Sequence, residues 1–97
     1  MIVVYGSIRL KEDGVQRVAD AIPGFLDKIR AEDGYIAYSL TWDPQDPQVL
    51  HLLEHWESAE AHEVHMPQPH VKEWAQMMSE VADGPLQAQK FNAEVFV

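Results

Sequence analysis

The chain contains no cysteine among its 97 residues, which excludes disulfides, thiolate metal sites and thiol nucleophiles. Positive charge is scarce: 7 Lys and Arg stand against 16 Asp and Glu, a formal net charge of −9. That field repels phosphate backbones and anionic lipid, so neither nucleic acid nor a membrane surface is an expected partner. No apolar run approaches the ~18 residues of a membrane-spanning helix. Met1-Ile2-Val3-Val4-Tyr5 has no basic flank and is soon interrupted, unlike a secretory signal. A soluble, cytoplasmic protein is the expectation. No repeat, low-complexity run or flexible linker breaks the chain, so residues 1–97 read as a single domain. With 46% hydrophobic residues the chain can fold, yet one this short buries only roughly 60–65% of its unfolded surface. A partner subunit would add burial.

What is present is regular patterning. Residues 2–10 alternate, with Ile2, Val4, Ile8 and Leu10 on one face and Val3, Tyr5, Ser7 and Arg9 on the other, which predicts a strand. Asp13 and Gln16 resemble a helix cap and its reciprocal partner. Behind them Val15, Val18, Ala19, Ile22, Leu26 and Ile29 keep helical spacing to about residue 32, with Gly34 closing the helix. Pro23-Gly24 predicts a kink there and not a break, because the stripe resumes in phase. Tyr35 to Trp42 and Val49 to Trp56 read as a hairpin around the turn Asp43-Pro44-Gln45-Asp46-Pro47. Ser58 caps a short helix over 59–65. Met66-Pro67-Gln68-Pro69 interrupts, and Val71, Trp74, Met78 and Val81 mark a further helix ending at Asp83-Gly84-Pro85. The tail to Val97 reads as a fourth strand.

The order β-α-β-β-α-β predicts an α+β fold: a ferredoxin-like antiparallel sheet with helices on one face. Strand three is apolar on both faces, with Leu50, Leu52 and Trp56 on one and Val49 and Leu53 on the other. A sheet covered on one side only should be polar on its back. A homodimer joined back to back explains the pattern, the alternative being long loops of the same chain.

Five histidines are the main chemical signal, four of them between positions 51 and 65. His51 and His55 share a strand face but are too far apart along it to hold one metal ion. His62 and His65 fall on one side of the short helix. His65 and His70 bracket the proline break, where a chain reversal brings them close, with Glu54, Glu63 or Glu73 available as a third ligand. The spacing matches no zinc motif, so no metal is expected. There is no Ser-His-Asp order, phosphate loop or dinucleotide fingerprint. Trp42, Trp56 and Trp74, with Tyr5, Tyr38 and Phe91, suit either an ordinary core or an aromatic-binding pocket.

The stretch Leu53-Glu54-His55-Trp56-Glu57-Ser58-Ala59-Glu60-Ala61, then His65, then Pro69-His70-Val71, resembles the antibiotic biosynthesis monooxygenase family, and within it the small bacterial quinol monooxygenases. The Glu32-Asp33-Gly34-Tyr35 start of strand two also fits. This resemblance implies a dimeric α+β barrel that oxidises a quinol or similar electron-rich aromatic with O2, without flavin, haem or metal cofactor. It implies His65 as the proton-transfer residue, with Trp56, His62, His70 and Trp74 around the substrate. Trp56 would offer its indole N–H to a substrate oxygen. His65 has a second role open to it, tying the short helix to the sheet by a hydrogen bond. His62 stands where polyketide-oxidising members carry a functional tyrosine, and Leu52 where they carry an asparagine. The latter departure argues for a different substrate, or for a dimer that binds a small aromatic without turnover. The haem-degrading branch is disfavoured, because Ser7 replaces its early asparagine and Trp74 and Ala75 lie nearest its haem-ligating histidine.

Overall fold

Alternation of apolar residues builds β1 (Ile2–Arg9), β2 (Tyr35–Trp42) and β3 (Val49–Trp56), and β4 (Gln87–Asn92) completes one antiparallel sheet in the order β2-β3-β1-β4. This computed structural model describes residues 1–97. The helices are α1 (Val15–Arg30), α2 (Ala59–His65) and α3 (Pro69–Val81). The strand order is that of the expected ferredoxin-like α+β fold. Directly opposed residues share a sheet face, so the pairings Ile2 with Trp56, Val4 with Glu54 and Ile8 with Leu50 define the covered face. Two clusters fill the space below the helices. Ile2, Val4, Phe25, Ile29, Tyr38 and Trp56 form one, and Leu10, Val18, Leu50 and Val81 the other.

α1 runs unbroken through Pro23. Asp13 does not cap it, however. That residue sits in a 3-10 turn over Glu12–Gly14, and no side chain caps either element. The buried Gly14 fixes the helix start instead, since a Cβ there would come 2.7 Å from the Cβ of Val81. α3 begins at Pro69, a first-turn position where the missing N–H costs nothing.

The fourth strand is shorter than its sequence pattern suggests, stopping at Asn92 and not at Val97. β1 is its sole partner, and Asn92 already pairs with Ile2 at the start of that strand. The Ala93 N–H donates to the Met1 carbonyl at 2.9 Å, and beyond it the ladder has no partner left.

The back of the sheet carries Val3 and Tyr5 from β1, Leu53 from β3 and Phe91 from β4. Tyr5, Leu53 and Phe91 are 54%, 43% and 45% exposed, so no loop of the chain covers this face. His51 and His55 lie there too. His51 Nε2 donates to Asp43 Oδ1 at 2.8 Å. No helix is long and apolar enough to cross a membrane.

Candidate functional site

Glu54 is the centre of the site. Strand periodicity places it on the covered face of β3 between Leu52 and Trp56, where it is 5% exposed. The Trp56 indole N–H donates to Glu54 Oε1 at 3.0 Å. The same oxygen lies 3.5 Å from His65 Nε2 and 3.7 Å from His62 Nε2. Burial pushes the Glu54 carboxyl above its ordinary range, against the opposing pull of the Trp56 N–H and the His65 charge.

α2 brings the two histidines over this carboxylate. Ser58 starts the helix, its hydroxyl accepting from the Ala61 N–H at 3.1 Å. The three-residue spacing then turns His62 and His65 to the same buried side. Burial pushes the His62 imidazole down, with the Lys90 and His65 charges adding to the effect.

The α1–β2 loop supplies a second carboxylate. Gly34 adopts φ +80°, and a Cβ there would overlap the Ala61 Cβ, so only glycine lets the loop lie against α2. The Glu57 N–H donates to the Gly34 carbonyl at 2.9 Å and fixes the contact. Glu32 is thereby held beside α2 and the start of α3. Its Oε2 accepts from His65 Nδ1 at 2.8 Å and from His70 Nε2 at 2.9 Å. These three side chains are the group able to hold a metal ion, their ligand atoms all lying within 4.8 Å of one another.

Above the sheet lies a cavity of about 250 Å³. Fourteen residues line it, and all are hydrophobic except Glu54 and His65. Trp74 closes one side, stacked on Phe25 with ring centroids 4.2 Å apart. Tyr38 lines the wall, and burial, reinforced by the Glu54 and Glu32 charges, pushes its hydroxyl far above the ordinary phenol range. It remains a neutral donor at any working pH. His65 Nδ1 meets Glu32, while its Nε2 faces Glu54 Oε1, the other non-hydrophobic group of the lining.

The fold thus gathers the residues singled out from sequence but gives them unequal positions. His65 and Trp74 line the cavity. His70 borders two outer clefts instead. Trp56 is fully buried behind the wall, and its N–H, expected to reach a substrate oxygen, is already engaged by Glu54. His62 also sits behind the wall. The hydrogen bond of His65 goes to Glu32 in the α1–β2 loop and not to the sheet, where Glu54 Oε1 lies 3.5 Å from its Nε2. Glu32 was not among the residues expected here, and its only signal was the Glu32-Asp33-Gly34-Tyr35 run. Glu54 announced itself more clearly, as a lone carboxylate in phase with Leu50, Leu52 and Trp56.

The fold and site define a ferredoxin-like α+β domain with a buried carboxylate–imidazole cluster and an apolar cavity beneath its helices. The family model for antibiotic biosynthesis monooxygenase matches residues 1–77, and the chain belongs to this family. Solved structures share the fold throughout. A candidate antibiotic biosynthesis monooxygenase from Deinococcus radiodurans is 19% identical, with 100% of this chain and 96% of that one covered at a TM-score of 0.89. One from Nitrosomonas europaea is 16% identical over 96% and 98% of the two chains, also at 0.89. A conserved protein from Methanosarcina mazei is 22% identical over 96% and 92%, again at 0.89. No curated protein matches the sequence.

Proposed function

We propose that the protein is a cofactor-independent monooxygenase that oxidises a small quinol or related electron-rich aromatic with O2. The observation that carries this reading is an apolar cavity whose only two non-hydrophobic lining residues, Glu54 and His65, stand together. Triplet oxygen reacts slowly with closed-shell molecules, so the substrate itself must supply the first electron. Removing a phenolic proton makes an anion able to do so. His65 Nε2 takes that proton, and Glu32 at Nδ1 stabilises the imidazolium that results. Tyr38 donates to oxygen charge developing on the substrate, in a cavity with little water to compete. For a quinol with a free ring position, quinol and O2 give hydroxyquinone and water. One oxygen atom enters the ring, the other leaves as water, and the substrate supplies all four electrons.

The volume narrows the substrate class. A cavity of ~150 Å³ holds one benzene ring, so about 250 Å³ favours one or two fused rings over a polycycle. The working unit is a homodimer joined through the exposed sheet face of Tyr5, Leu53 and Phe91. Burying that face adds stability to a chain of this length.

Oxygen uptake with reduced naphthoquinols, in metal-free buffer, tests the reading. The expected result is a rate well above autoxidation that His65→Ala abolishes. No acceleration across a broad quinol panel overturns the enzymatic claim, and tight quinol binding without uptake makes the protein a carrier.

A further inference from the structure

We propose that Glu32, His65 and His70 form a binding site for one divalent transition-metal ion, zinc foremost, behind the cavity wall. His65 Nδ1 and His70 Nε2 stand 2.8 and 2.9 Å from a single Glu32 oxygen. An ion bonded to imidazole nitrogen and carboxylate oxygen at ~2.0–2.1 Å holds its ligands roughly 3.3 Å apart. The two glutamate–histidine separations therefore need to open by only about half an ångström to admit one. The ligands come from the α1–β2 loop, α2 and α3, so tertiary structure and not local spacing assembles them.

Three further observations support an ion here. First, the donor set is two nitrogens and one carboxylate oxygen, which suits zinc and its transition-metal neighbours, whereas calcium and magnesium prefer oxygen alone. Second, charge is unbalanced. Glu32 and Glu54 are two shielded carboxylates whose only ion-pair partners are histidines. A dication supplies the missing countercharge by replacing the protons that now bridge Glu32 to the two imidazoles. Third, His65 Nε2 faces Glu54 at 3.5 Å, the carboxylate–imidazole–metal arrangement that orients a ligating histidine.

Access comes from outside. A cleft of about 330 Å³ is bordered by Glu32, Asp33, Gln68 and His70 and leaves room for a water at a fourth position. Lys28 is the one cationic side chain on that cleft. Occupancy would move the His65 proton from Nδ1 to Nε2 and turn that nitrogen from acceptor to donor. The site itself stands apart from the quinol reading, because its test uses binding alone.

That test is equilibrium dialysis of the metal-stripped full chain against Zn2+, with Co2+ absorption in the visible range as a report of ligand number. We expect one ion per chain, saturable, with Kd at or below about 10 µM. Glu32→Gln and His70→Gln should each weaken binding at least about tenfold. His51→Gln, which alters the half-buried pair with Asp43 on the opposite face of the sheet, should leave it unchanged. Circular dichroism checks each variant's fold, and if Glu32→Gln does not fold, His70→Gln decides. Absence of saturable binding at about 100 µM Zn2+, or binding that survives His70→Gln, overturns the site.

Discussion

The Trp56 indole N–H donates to Glu54 Oε1, two residues back along the same face of β3. A tryptophan and a carboxylate on alternate positions of one strand thus satisfy each other inside the core. Trp56 is 0% exposed, so removing its donor leaves Glu54 short of a partner where no bulk water replaces it. Trp56→Phe should destabilise the fold by about 1–3 kcal/mol for that loss alone. Urea unfolding measures it. The double variant Glu54→Leu/Trp56→Phe should lose less than the sum of the two singles, because each removes the same bond.

Gly34 decides whether Glu32 meets the histidines. Its φ of +80° and its contact with Ala61 leave no room for a side chain. Gly34→Ala should cost about 1–3 kcal/mol of strain. It should also draw Glu32 away from His65 and His70. Histidine ring resonances in NMR spectra should then lose the signature of Nδ1–H held by a carboxylate.

Acid stability should reflect Asp43. The His51 hydrogen bond, followed by the Gln45 N–H, holds its carboxyl below the usual value of 3.8. A carboxyl depressed in the folded state contributes stability above its unfolded pKa and loses that contribution as pH falls through the folded value. Wild type should therefore exceed Asp43→Asn in stability at pH 6, and the gap should shrink as pH falls below the ordinary carboxylate value. Paired denaturation curves at several pH values report the trend.

The uncovered sheet face makes a prediction about assembly. Leu53 is 43% exposed at the middle of β3, on the side away from the site. Leu53→Lys should convert dimers to monomers in sedimentation velocity without unfolding the chain, since a charge buried across an apolar interface is costly. Monomeric wild type at micromolar concentration would remove the back-to-back dimer.

The cavity is narrow enough to block. Ala75 lines it from α3 while remaining exposed on its outer side. Ala75→Phe should fill part of the about 250 Å³ and weaken naphthoquinol binding about tenfold or more, with little effect on stability. Fluorescence quenching of Trp74 in the cavity wall provides the readout.

The legible parts of this protein are those with local periodicity. Strand alternation places Ile2, Val4, Leu50 and Trp56 on the covered face, and Ser58 marks the start of α2 to the residue. Asp13 misleads, because a cap-like pattern says nothing of the close packing between Gly14 and Val81 that begins α1. The tail misleads for a similar reason: Val95 and Val97 keep the strand alternation, but β1 is too short to pair with them. The site is only half legible. His65 and His70 stand near each other in the chain, whereas Glu32 is 33 residues from His65 and reaches it through a glycine turn. Glu54 lies in phase with Leu50, Leu52 and Trp56, a pattern that marks a buried carboxylate, yet the only role expected of it was that of an available third metal ligand.

The cavity's two polar groups come from β3 and α2, whereas Val71, Trp74, Ala75 and Met78 on α3 shape much of its apolar wall. Under the proposed function, reactivity and selectivity therefore reside on different segments of the backbone. On that reading, natural variation or directed evolution confined to one helix would swap the ring systems accepted while the proton-handling end stays intact. One small scaffold could in this way diversify across many aromatic metabolites with only a few codon changes.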